Sequence, residues 1–189
     1  MVWAVLNEEH NIALGELLQG QKSDRIVAII GGALIDDSLR RHLELRFRAV
    51  PKNRTDMNER LLRPGGPLGT LVPKIDLAYQ LYMFEKPVRN ALWGIAEIRN
   101  KFAHNLSMSF KDESLKDSLG KLVLHQGRTH YPHPFDHGKD SEHPLEPGKG
   151  SRHIFILNLK LCLIELLRDG TKHGLYSNVP ATHRIERTR

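Results

Sequence analysis

Arg99 and His104 stand five residues apart in Ile98-Arg99-Asn100-Lys101-Phe102-Ala103-His104. A guanidinium can hold two phosphate oxygens with parallel hydrogen bonds and stabilise the charge that develops on them. An imidazole can take and return a proton near neutral pH. With Asn100 to orient the site, these residues are a candidate set for metal-independent RNA cleavage. The base removes the 2′-hydroxyl proton, the acid protonates the leaving oxygen, and the arginine meets the charge on the phosphorane-like transition state. Geometry adds a condition. Five helical residues turn about 140°, so the two side chains converge only if the helix ends near His104 or a second copy supplies its own pair. Asn105 is a reasonable stop. The same residues also have structural uses. Arg99 could pair with Asp37 or Asp76 on a neighbouring helix, His104 could sit at the negative end of the helix dipole, and Asn100 could tie down the following loop.

The elements that must position this set are helical. Ser23-Asp24 offers an N-cap to an apolar run, Ile26, Val27, Ile29, Ile30, Ala33, Leu34, Leu39, Leu43 and Phe47, which continues to about Val50 before Pro51. Gly31-Gly32 inside it costs helix propensity, which close approach by a neighbouring helix would offset, within the chain or across a dimer interface. Residues 51–67 read as polar and then loop-like. Leu68, Leu71, Val72, Ile75, Ala78 or Tyr79, and Tyr82 give a second helix with one buried face, its first turn irregular or beginning at Pro73. After Glu85-Lys86-Pro87, Val88, Leu92, Ile95, Ile98 and Phe102 form the helix that carries the motif. A link of about four residues makes this pair antiparallel. A shorter amphipathic stretch runs from Glu113 to Leu124, with a short strand conceivable at Lys121–Leu124. Residues 125–150 are rich in Pro, Gly and His and read as a long loop. A buried helix follows at about 152–168, with Gly170 as its stop.

Other chemistry is less well supported. His125, His130, His133, His137, His143 and His153 are six of eleven histidines, but their spacing fits no tight metal site and no dense carboxylate set accompanies them. No metal and no cofactor is expected. Asp36-Asp37 and Asp76 read as surface charges, Trp93 as core, and the single cysteine, Cys162, among Leu161, Leu163 and Ile164, as a buried inert thiol. The net charge of +6 is compatible with a polyanion partner. Its densest patches are Arg40-Arg41 with Arg46 and Arg48, and the tail from His183 to Arg189. Neither a signal peptide nor a membrane span is read, so a cytoplasmic protein is expected.

Three blocks carry a family likeness. The arginine–histidine segment is the R-x4-H pattern of HEPN domains. Gly65-Gly66-Pro67-Leu68-Gly69-Thr70-Leu71-Val72-Pro73-Lys74-Ile75-Asp76-Leu77-Ala78-Tyr79 and Asp24-Arg25-Ile26-Val27-Ala28-Ile29-Ile30-Gly31-Gly32-Ala33-Leu34-Ile35-Asp36-Asp37 resemble stretches of the mannitol-repressor family. The chain thus resembles that family, within the HEPN helical superfamily, over roughly residues 20–120. The resemblance implies an all-α, HEPN-like bundle of antiparallel helices, a homodimer, and a regulator that works through a protein partner, since no recognition helix of a helix-turn-helix is visible. It equally implies the alternative of a metal-independent HEPN endoribonuclease, a toxin or defence enzyme, with Arg99, Asn100 and His104 as catalytic residues and RNA as substrate. The organisation expected is an N-terminal arm or helix at 1–22, one helical domain at 23–170 with a loop insertion about 125–150, and a basic tail at 171–189.

Overall fold

The computed structural model describes residues 23–47, 55–126, 130–132, 142–144 and 150–172. Their α-helices are α1 (Asp24–Phe47), α2 (Thr55–Leu62), α3 (Leu71–Gln80), α4 (Lys86–His104), α5 (Lys116–Gly120, preceded by a 3₁₀ turn Glu113–Leu115) and α6 (Gly150–Lys172). Two three-residue strands, β1 (His130–Pro132) and β2 (Glu142–Pro144), pair antiparallel with Tyr131 opposite His143.

Helix α1 is the axis of the bundle, with α3, α4 and α6 packed around it. Ser23 begins it as expected, its Oγ accepting the Ile26 N–H at 3.4 Å. The buried stripe Val27, Ala28, Gly31, Leu34, Ile35, Leu39 and Leu43 keeps the 3.6-residue period. The double glycine is explained within the chain. A Cβ on Gly31 would lie 3.0 Å from the Phe155 ring, and one on Gly32 only 2.5 Å from Cγ of Arg99. α6 and α4 therefore approach α1 at the two positions that lack side chains.

The long-range contacts fix directions. Arg25 reaches the Ala103 carbonyl while Gly32 lies under Arg99, so α1 and α4 run antiparallel. Asp24 pairs with Arg152 and Arg46 with Asp169, so α1 and α6 run parallel, which the long α4-to-α6 connection permits. α3 and α4 are antiparallel as expected, Asp76 meeting Arg89 across the Leu81–Glu85 link. Pro73 sits in the first turn of α3, where its missing N–H has no helical acceptor to lose.

Several local expectations need correction. Residues 51–67 contain α2, whose Leu62 is buried in the core; eight mostly polar residues give too little periodicity to mark it. Lys121–Leu124 is a turn, with the Lys121 N–H donating to Ser118 and the Leu122 N–H to Leu119. The only paired strands among the described residues lie in the stretch read as loop. Gly170 does not stop α6, which continues to Lys172. The arm at 1–22, Arg48, and residues 173–189 of the tail lie outside the described residues, as do His133 and His137.

The end of α3 carries a local strain. The Tyr82 N–H donates to Tyr79 O and the Met83 N–H to Ala78 O, the two bonds of a Schellman close. That close puts Tyr82 at φ 55, a conformation favouring glycine, while its side chain is 90% exposed and returns no packing. Tyr82→Gly is expected to raise the unfolding free energy by about 0.5–1 kcal/mol, read from urea denaturation midpoints. A loss of stability would show that the ring packs in solution.

Candidate functional site

α4 is amphipathic to its last turn. Val88, Ala91, Leu92, Ile95, Ile98 and Phe102 face the core, and Arg99, Asn100, Ala103 and His104 are exposed. The helix ends at His104 with Asn105 as C-cap, so the expected stop is present. On a helical projection Asn100 and Ala103 fall between Arg99 and His104, and the four share one arc of about 140°. The three motif residues thus lie on one solvent-facing surface.

The structural alternatives for Arg99 are not realised. Asp37 is bound by Arg41 at 2.7 Å and Asp76 by Arg89 at 3.2 Å. Arg99 donates instead from Nη1 to Asn100 Oδ1 at 3.0 Å, and its methylenes lie across Gly32. Asn100 therefore orients the arginine, and no bond from its side chain to the following loop is formed. That loop is held by Asn105, whose Oδ1 accepts the Ser107 N–H at 3.2 Å and the Ser107 hydroxyl at 3.1 Å. The ring of His104, in the last turn of α4, makes no hydrogen bond to another described residue.

Two residues outside the motif belong to the same corner. Arg25 donates from Nη2 to the Ala103 carbonyl at 3.4 Å, next to His104, while its Nη1 has no acceptor. Gly32 fixes where the Arg99 side chain crosses α1. Only the unexplained glycine pair could have signalled Gly32, and nothing in the spacing pointed to Arg25, 78 residues from its partner.

Further along the exposed arc, the Arg89 guanidinium stacks over Tyr79 (5.0 Å) and Trp93 (4.6 Å). Trp93, expected in the core, is half-buried: it packs partly on the core and offers a face to Arg89. Asp76 and Asp36 are more than surface charges. Asp76 holds Arg89, and Asp36 accepts from the buried Lys74 at 2.6 Å. The patch read at Arg40, Arg41 and Arg46 is largely neutralised, by Glu44, Asp37 and Asp169 in turn.

Of the six histidines singled out, four are described residues. His125 accepts from Nδ2 of Asn158, whose Oδ1 takes the Leu124 N–H, so this pair pins the turn before the long connection onto α6. His130 and His143 lie in the two strands and His153 in α6. Among the described residues no three His, Cys, Asp or Glu side chains gather as a metal would need. Cys162 is fully buried and its thiol pushed upward by desolvation, well above the usual thiol range, which makes it inert. Among the described residues no helix is long and apolar enough to cross a membrane.

These features define a class: an all-helical bundle whose motif helix exposes a polar, cationic face. No family model matches the chain, and no curated protein matches it. Among solved structures, it is similar to a chain in the X-ray structure of the MtlR–HPr complex from Escherichia coli, at 19% identity with a TM-score of 0.60, covering 84% of this chain and 98% of that one. The chain therefore shares the fold of that structure over the part that the match covers.

Proposed function

We propose that the chain is a regulatory interaction protein that resembles the mannitol repressor in action as well as in fold, working as a cytoplasmic homodimer through a protein partner. The carrying observation is the arc Arg99-Asn100-Ala103-His104. It is exposed, its tertiary contacts are Arg99 against Gly32 and the Ala103 carbonyl with Arg25, and the opposite side of the helix is core. The neighbouring structure was solved with HPr, so an HPr-type protein is the first partner to test. The reading does not need a recognition helix, since binding through helix faces requires only a rigid surface.

Calorimetric titration of the purified chain with HPr is the test. Saturable binding is expected, weakened by Arg99→Glu; the absence of any heat or complex at high protein concentration overturns the HPr-type partner. One observation favours a second reading. Arg99 and His104 are exposed and hold no carboxylate, as the metal-independent HEPN endoribonuclease would need, with Asn100 orienting the arginine and a dimer building the composite site. Under that reading the wild type cuts RNA without metal and folded Arg99→Ala and His104→Ala variants do not. Under the first reading none of the three cuts.

A further inference from the structure

Count the carboxylates on the two helices that form the seam beside the arc. On α1, Asp24 is bound by Arg152 and by the Phe110 N–H, Asp36 by Lys74, Asp37 by Arg41 and Glu44 by Arg40. On α4 the sole carboxylate, Glu97, is bound by Lys121 and Ser118. Every acid on both helices has a cation of its own. Arg25 and Arg99 have none: Arg25 reaches the α4 C-terminus at the Ala103 carbonyl, beside His104, and Arg99 lies one turn earlier on α4 with its head on Asn100. No acid of either helix meets the charge of these two arginines; Arg25 is met by the Ala103 carbonyl at the α4 C-terminus.

The same corner is flanked by apolar side chains that the fold leaves out. Ile26, beside Arg25, is 41% exposed, and Leu106, two residues after His104, is 83% exposed. Leu106 is presented by a loop closed on Asn105, so its exposure belongs to a defined turn. Arg99 is likewise pre-positioned, its stem against Gly32 and its head on Asn100. Placing two cations in advance lowers the ordering cost of binding an anion. Exposed leucine and isoleucine beside them select against a purely polar ligand.

We propose that this corner docks an acidic, partly apolar protein segment, an amphipathic stretch whose carboxylates pair with Arg25 and Arg99 and whose apolar residues cover Ile26 and Leu106. The inference rests on the protein-partner reading above and names the chemistry of what that face receives. Carboxylates fit because neither guanidinium is met by an acid of the described fold, and Arg99, held through Nη1 alone, keeps donors that match a carboxylate.

The test uses the full chain and three probes: an amphipathic helical peptide of Glu and Leu, its Lys-for-Glu counterpart, and a single-stranded RNA oligonucleotide. Binding is followed by the NMR signals of Arg25, Ile26, Arg99, His104 and Leu106. The Glu–Leu peptide is expected to shift these signals. Its affinity should fall on the order of tenfold in Arg99→Glu and in Leu106→Asp and fall again with added salt, while the Lys–Leu peptide does not bind. Leu106→Asp alters a side chain that packs on nothing, so its effect cannot be laid to misfolding. The proposal is overturned if the Glu–Leu peptide shifts none of these signals, if both variants bind it as the wild type does, if the Lys–Leu peptide binds equally, or if the RNA displaces the peptide from this corner at lower concentration. HPr separates the two readings: binding with a footprint elsewhere and no peptide binding leaves the protein-partner reading standing and this one fallen. Peptide binding here without HPr binding does the reverse for the HPr-type partner.

Discussion

Phe155→Ala is expected to lower the unfolding free energy by about 3–5 kcal/mol, which for a chain of this length is roughly 6–20 °C in thermal midpoint. The ring is fully buried at the start of α6. Its centroid lies 5.2 Å from that of Phe110, which lies 4.9 Å from Phe102 of α4. A row of three rings thus joins α6, the loop after α4, and α4 itself. On its remaining side the Phe155 ring rests on Gly31, where a Cβ would come within 3.0 Å. This lining decides the size of the effect. A cavity costs least where neighbours can move into it, but Gly31 has no side chain to offer and the α1 backbone is held by α3 and α4 as well as α6. The hole should stay open. Phe155→Leu keeps part of the volume and is expected to cost about half as much. Urea unfolding of both variants checks this, and a loss under about 1 kcal/mol for the alanine variant would show that the site collapses, so that the glycine approach is not rigid.

That glycine pair also shows what the sequence could convey. Two consecutive glycines inside a strong apolar period are a local cost with no local return, so a close approach was legible. Which helices approached was not, because the contacts join residues more than sixty positions apart, Gly31 to Phe155 and Gly32 to Arg99. The long helices were legible through their period, and the motif arc through the spacing of Arg99, Asn100 and His104 with a stop at Asn105. Of the two uses open to Arg99, pairing with Asp37 or Asp76 is not formed; Asp37 has Arg41 four residues on, and a helical pair at that spacing is the simpler solution. α2 escaped notice because its helix is settled by burying Leu62, a tertiary effect. Gly170 failed as a stop because the helix end is set by what packs around it. Asp169, one residue earlier, is tied to α1, and a glycine costs a helix only about 1 kcal/mol. Arg25 lies outside the R-x4-H motif, in a stretch marked only by its family likeness, and becomes part of the site through the α1–α4 seam.

Asp169→Ala is expected to cost about 3 kcal/mol at neutral pH, although the residue lies far from the motif arc. Both Asp169 oxygens accept from Arg46 Nη2, at 2.8 and 2.9 Å, and the carboxylate is almost fully buried while the guanidinium keeps some exposure. Arg46 Nε already has no acceptor, so removing the carboxylate strands a mostly desolvated cation. Replacing both partners, Arg46→Met with Asp169→Leu, should recover most of the loss, because the cost lies in the orphaned charge and not in the lost pair. The same cluster sets an acid sensitivity. His42, one turn before Arg46, is buried; desolvation pulls its pKa below the ordinary histidine value, opposed by the Ser38 carbonyl 2.7 Å from Nδ1 and by the Asp169 charge. In the unfolded chain His42 takes up its proton near pH 6.5, while the folded protein resists until lower pH. The unfolded state thus binds more protons in that window, so stability is full above about pH 6.5 and is lost as pH falls from there toward the folded value. Asp169→Ala removes a charge that favours the imidazolium, so its loss on acidification should extend to lower pH than in the wild type. Urea denaturation at pH 8 and pH 5.5 for the wild type, Asp169→Ala and His42→Gln decides the matter. His42→Gln should flatten the difference between the two pH values, and an unchanged acid loss in that variant would assign the sensitivity to other groups.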